Sequence, residues 1–192
     1  MGVNKTGIFK IDANFLRSLG INTAEIDPKT IQIFGNGGGM IPEANSIARE
    51  DDLNENSIQV IGENDGSFDE DDYILFYGED QVDWKYDASI DLFRHQLNYY
   101  SDTTFYFLRV GNEVGKRISK INSNTLVATK EISVVDNYYY HEVDDINLLK
   151  SGRLWFGEVF DNTLTHTFQL DFSKVDISNT ATLEFSAAAR SG

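Results

Sequence analysis

The sequence predicts an all-β chain: a β-sandwich or barrel-like first domain with one short helix, then a second, truncated β-sandwich domain. Three observations lead there. Short runs of β-branched and aromatic residues alternate with polar ones at a period of two. Gly, Asn and Asp clusters separate these runs at the spacing of an antiparallel β fold rather than of βαβ units. Only one stretch has helical periodicity.

Gly7–Ile11 is the first alternating run. Residues 12–20 form the one helical pattern: Asp12 is placed to cap its N-terminus, Phe15, Leu16 and Leu19 share a face, and Gly20 stands at the C-cap. Asp27-Pro28 opens a second strand, Thr30–Phe34, which runs into Gly35-Asn36-Gly37-Gly38-Gly39. Ser57–Ile61, Tyr73–Tyr77 and Thr104–Val110 are further strands. Gly111 to Thr125, with three Asn and two Gly around Lys116-Arg117, reads as a linker. Beyond it, residues 126–135, 138–141, 154–158, 167–172 and 181–186 resume strand character. The domains are therefore expected at 1–118 and 119–192. The ending Arg190-Ser191-Gly192 is turn-like with no strand after it, so the sequence reads as a piece of a longer protein.

The chain has 192 residues, 41% of them hydrophobic, which is enough to bury a core. The net charge of −15 disfavours nucleic acid and anionic lipid as partners, because a basic face is what binds phosphate. No apolar run reaches the roughly 20 residues of a membrane span. Met1-Gly2-Val3-Asn4 lacks the basic and apolar regions of a signal peptide. There is no cysteine, which excludes disulfides, thiolate metal sites and a cysteine nucleophile within these residues.

Charge is concentrated. From Glu50 to Asp87 there are fourteen acids against Lys85 alone. At the centre, Asp65-Gly66 can occupy the fifth and sixth positions of a twelve-residue calcium loop. Ser67 then falls on the seventh, Asp69 on the ninth, Asp72 on the twelfth and Glu63 on the third. Calcium takes six to eight hard oxygen ligands, and acids crowded in one loop repel unless a cation or open water relieves them. Asp65, Asp69 and Asp72 are thus candidate Ca2+ ligands. The first position would be Ile61, and a strand follows instead of a helix, so this is not an EF-hand. A solvated Asp-Gly turn anchored by Phe68 accounts for the same residues.

The other motifs lead to packing roles. The glycines at 35–39 lack the Lys-Ser/Thr of a phosphate loop, and sharp turning or close backbone approach explains them. His95, His141 and His166 have no metalloprotease spacing, although His141 with Glu142, Asp144 and Asp145 can form a polar cluster. No nucleophile elbow accompanies any serine. Trp84, Tyr86, Tyr99, Tyr100, Tyr138, Tyr139, Tyr140, Trp155 and Phe156 can stack on sugar rings or fill a core or interdomain contact.

One run, Ile31-Gln32-Ile33-Phe34-Gly35-Asn36-Gly37-Gly38-Gly39-Met40-Ile41-Pro42-Glu43-Ala44-Asn45, resembles a motif near the N-terminus of the PorU-type sortases. These are sortases of the type IX secretion system, related to the gingipain-type cysteine peptidases. Residues 51–56, 65–78, 97–102 with the strand at 105–108, and 147–158 follow in that family's order. The resemblance implies an exported parent at the outer-membrane surface of a Gram-negative bacterium. That parent would remove C-terminal sorting domains from secreted cargo and join the new carboxyl end to lipopolysaccharide, through a cysteine thiolate and a histidine base. No family catalytic residue falls on this chain, so catalysis is expected downstream of Gly192. The implied partners are the chain's own downstream peptidase domain, an outer-membrane barrel protein and secreted cargo. Two other readings compete with it: a calcium-stabilised carbohydrate-binding or adhesion module of a secreted surface protein, and a pro-segment that inhibits its own peptidase until cleaved.

Overall fold

The structure, a computed structural model, describes residues 1–123, 127–150, 152 and 154–189. Four of the readings above touch residues outside this set: Asn124 and Thr125 of the linker, Leu126 at the start of a strand, Ser151 and Arg153, and the Arg190–Gly192 ending. The chain divides into two units, Met1–Ser123 and Asn124–Gly192. Strands dominate, and the fold is all-β as expected.

In the first unit, β2 (Gly7–Asp12), β6 (Tyr73–Gly78) and β5 (Gln59–Ile61) form an antiparallel sheet in the order β2-β6-β5. Phe9 lies opposite Phe76, and Ile11 opposite Ile74. The period of two turns these side chains inward, while their neighbours Ile8, Lys10 and Tyr77 face solvent. A second sheet has the order β10-β3-β4, with β10 (Phe107–Val110), β3 (Ile31–Phe34) and β4 (Glu55–Asn56). Ile31, Gln32 and Ile33 of its central strand are all buried. The short pair β1 (Gly2–Val3) and β9 (Thr104–Phe105) stands apart from it. The expected strand over 104–110 is therefore two strands. Tyr106 between them turns its ring into the core, where it meets Phe76 edge-on at 5.4 Å.

The helix α1 (Ala13–Ser18) starts at Asp12, whose carboxylate accepts the Phe15 N–H at 2.9 Å. Gly20 follows the C-cap Leu19 with φ +83°, a conformation that suits glycine. The buried face differs from the expected one. Ala13 and Leu16 enter the core, whereas Phe15 and Leu19 stay 40% and 49% exposed, because a helix this short seats one turn only. Ile58, Val60, Phe68 and Val3 complete the core. An unanticipated hairpin, β7 (Val82–Asp87) with β8 (Leu92–Leu97), closes the strand list with its own two-stranded ladder.

Residues 111–118 are not a free linker. They lie along the first unit, with the Gly115 N–H donating to the Lys29 carbonyl at 2.9 Å and the Ile118 N–H to that of Ile58 at 2.9 Å.

The second unit is differently built. Among its described residues none is buried, and the one β contact is the antiparallel bridge between Ile146 and Phe156. Apart from Phe156, the described parts of the expected strands lie outside any ladder. Yet the side chains that meet there obey the strand period. Tyr139 packs against Phe172 with ring centroids 6.2 Å apart, and His141 against Phe168 at 4.6 Å. Alternation sorts side chains onto faces; closing a ladder also needs partners that bury those faces.

Candidate functional site: an acidic loop between two arginines

The acidic loop leaves β5 through Gly62, at φ +95°. A Cβ at Gly62 would collide with the Asp72 carboxylate, so glycine is what lets Asp72 fold back over the strand end. Phe68, 2% exposed, plugs the loop into the core. Around that anchor the Asp65 carboxylate accepts the Ser67 N–H at 3.1 Å, and that of Asp72 accepts the Asp69 N–H at 2.9 Å. One carboxylate oxygen from each of Asp65, Asp69 and Asp72 lies within 4.8 Å of the other two. Asp72 is 9% exposed, while Asp65 and Asp69 face solvent.

Glu63 does not join them. Its carboxylate accepts the Arg117 Nε–H at 2.8 Å. Glu70 also turns away, accepting from both terminal nitrogens of Arg17 at 2.7 and 2.9 Å. That bidentate pairing holds the Glu70 carboxyl below the ordinary carboxylate value. The loop is thus fixed at Glu63 and at Glu70 by cations from distant parts of the chain. Three acids are left facing one another, a hard-oxygen set of the kind calcium takes, to which Ser67 can add an oxygen. The calcium-loop alignment therefore groups its fifth, ninth and twelfth positions and sends its third elsewhere.

The glycines at 35–39 bring the backbone close to other segments. Gly38 packs against the Asp80 carbonyl and the Thr104 hydroxyl, and its own carbonyl accepts the Asn98 side-chain N–H at 2.9 Å. His141 pairs with Glu158 at 2.6 Å, which holds the Glu158 carboxyl below its ordinary value. The polar cluster expected from Glu142, Asp144 and Asp145 does not supply that partner. Burial pushes the Asp144 carboxyl up, with the Glu142 charge adding to it. His166 lies 3.2 Å from the Val159 carbonyl.

Sequence reasoning missed the β7–β8 hairpin, which gathers aromatics on one face. Trp84 lies opposite His95 and Tyr86 opposite Phe93, while Lys85 and Arg94 share the other face. The signal was present as two alternating six-residue runs around Ala88-Ser89-Ile90-Asp91.

No protein-family model matches the chain, and no curated protein matches it. Among solved structures, the crystal structure of dimeric latent PorU from Porphyromonas gingivalis matches at 25% identity and a TM-score of 0.50. The match covers 69% of this chain and 11% of that one. The chain resembles part of PorU. That supports a PorU-like fold for the matched portion, and the chain spans about a tenth of the PorU chain it matches. With no cysteine anywhere in its 192 residues, it carries no thiol nucleophile of its own.

Proposed function

We infer that the chain is a non-catalytic N-terminal scaffold and interaction region of a PorU-like type IX secretion sortase. The observation that carries this reading is the PorU match, which takes in 69% of the chain but 11% of its counterpart. In this reading the parent is an exported cysteine endopeptidase and transpeptidase at the outer-membrane surface. Its thiolate attacks the carbonyl carbon of the peptide bond before a C-terminal sorting domain. The C–N bond breaks, the sorting domain leaves as an amine protonated by the histidine, and the acyl group passes from sulfur to an acceptor amine, which frees the thiolate. Reactive groups lie elsewhere in that parent. These residues supply a β-built platform that orients the peptidase domain and contacts a barrel protein or cargo.

The test is a pull-down of the purified chain against the separately produced peptidase domain of such a sortase and against detergent-solubilised outer membranes. Capture of the peptidase domain or of a barrel protein supports the scaffold. Peptide or ester hydrolysis by the chain alone, abolished by one point substitution, overturns it.

A second reading, a calcium-stabilised carbohydrate-binding or adhesion module, is favoured by the three carboxylates gathered at Asp65, Asp69 and Asp72. Calorimetric titration with calcium, followed by a glycan panel, separates the two. Sugar binding that requires calcium and is lost in Trp84→Ala or Trp155→Ala supports the module.

A further inference from the structure

The segment Gly111–Ile118 crosses from the end of β10 to the start of β5, and its attachment is unusual in kind. None of its apolar side chains enters the core: Val114 is 70% exposed and Ile118 50%. Polar contacts hold it. The Gly111 N–H donates to the Thr30 carbonyl at 3.1 Å, and the Lys116 N–H to the Glu55 carboxylate at 2.6 Å. Arg117 is the centre. Its Nη2 donates to the Pro28 and Lys29 carbonyls at 3.0 and 2.9 Å, its Nη1 to the Ile31 carbonyl at 3.2 Å, and its Nε to Glu63 at 2.8 Å. One planar guanidinium thus joins the entry of β3 to the loop that leaves β5, a fork geometry that lysine cannot reproduce.

Beneath the segment lies a strand edge. Ile58 donates its N–H to the Lys116 carbonyl at 3.2 Å and accepts the Ile118 N–H at 2.9 Å, forming a parallel bridge with Arg117. Gly115 sits so close to the Ile31 carbonyl that a Cβ would strike it. The Ile58 and Ile31 side chains themselves are fully buried.

We propose that Gly111–Ile118 is a polar latch, pinned by Arg117, that opens as a unit while the core of the first unit stays closed. Little apolar area resists its release, so its opening free energy sits far below that of the sheets. Opening frees the N–H and C=O of Ile58 and turns a capped edge into an uncapped one. The latch belongs to the first unit alone, and its test is independent of any sortase partner.

Hydrogen exchange read by NMR on the intact chain tests it, comparing Arg117→Met, which keeps the aliphatic stem, with the parent sequence. The Gly115, Ile118 and Ile58 amides should exchange about tenfold faster or more, as expected for losing charge-assisted bonds, while Ile11, Ile74 and Phe76 in β2 and β6 keep their rates. Arg117→Lys should recover only part of the protection. Glu63→Gln, which retains the side-chain shape, should give a smaller, equally selective increase, and it decides the matter if Arg117→Met does not fold. Unchanged exchange across the segment, or an equal rise in segment and sheets, overturns the latch.

Discussion

The ring of Tyr106 lies against Gly35, so close that a Cβ on Gly35 would stand 2.5 Å from its Cδ1. Tyr106 is 1% exposed and its ring also meets Phe76 edge-on at 5.4 Å, which leaves it little room to shift. Gly35→Ala should therefore destabilise the first unit by about 1–3 kcal/mol, the usual cost of overpacking a filled core. Gly7→Ala, where nothing stands within 4 Å of the new methyl, is the control and should leave the urea midpoint near that of the parent chain.

Tyr106 also predicts alkaline behaviour. Its hydroxyl accepts the Glu79 N–H at 2.8 Å, and burial pushes the phenol's pKa above its ordinary 10.0. The folded state thus holds the proton more tightly than the unfolded chain does. Its contribution is fully present below pH 10.0 and is lost as pH rises through the higher folded value. Tyr106→Phe should cost about 1–2 kcal/mol at neutral pH, because the Glu79 N–H loses its partner. Its thermal midpoint should then fall less steeply than the parent's above pH 10. Parallel midpoint curves for the two proteins would count against this assignment.

Asp12 offers a local test. Its carboxylate caps α1 through the Phe15 N–H, and Asp12→Ala should cost about 1 kcal/mol. Asp12→Asn, which keeps an acceptor oxygen, should cost much less. Arg17→Met should shift the midpoint little by comparison. The pair it breaks with Glu70 is solvent-exposed, with the two side chains 40% and 72% accessible, and such pairs contribute little.

On the second reading, that of a calcium-stabilised module, calcium should raise the thermal midpoint of the chain, and magnesium at the same concentration should do so far less. The three clustered carboxylates offer hard oxygens without an octahedral frame of their own, and calcium tolerates flexible geometry where magnesium demands a near-ideal octahedron. At a hundredfold excess over the dissociation constant the gain is about 2.7 kcal/mol. Asp65→Asn and Asp69→Asn should each abolish it, whereas Glu70→Gln, outside the cluster, should not. A midpoint indifferent to calcium removes the metal and leaves the solvated turn.

What could be read from the sequence follows from what each signal depends on. Period-two alternation placed β2 and β6, because each has an inward face set by its own residues; β3 alternates in sequence but is buried at Ile31, Gln32 and Ile33 alike. The Asp12 cap and Gly20 were legible for the same local reason. The helix face was misjudged at Phe15 and Leu19, since periodicity shows which residues share a face but not how much of it neighbouring strands can cover. Glycine and asparagine content made 111–118 resemble a linker. What holds it is Arg117 reaching carbonyls 86 to 89 residues away, and no local pattern encodes that. The acidic cluster was found through spacing, yet the departure of Glu63 to Arg117 needed the tertiary fold.

The two units should respond differently to truncation of an apolar side chain. Ile74 in the first unit is fully buried, cross-paired with Ile11 and Val60 on adjacent strands. Ile74→Ala should cost about 3 kcal/mol, in the range for a large-to-small change in a core. In the second unit Leu170 remains 45% exposed on a segment of alternating apolar residues outside any ladder. Leu170→Ala removes little burial, and its cost should stay below about 1 kcal/mol. Unit-resolved hydrogen exchange reads both variants in the intact chain. Ile74→Ala should accelerate exchange across β2, β5 and β6, and Leu170→Ala should leave those strands unchanged. A loss of several kcal/mol from Leu170→Ala would mean that Phe168, Leu170 and Phe172 are buried in solution, and that the second unit closes a core of its own.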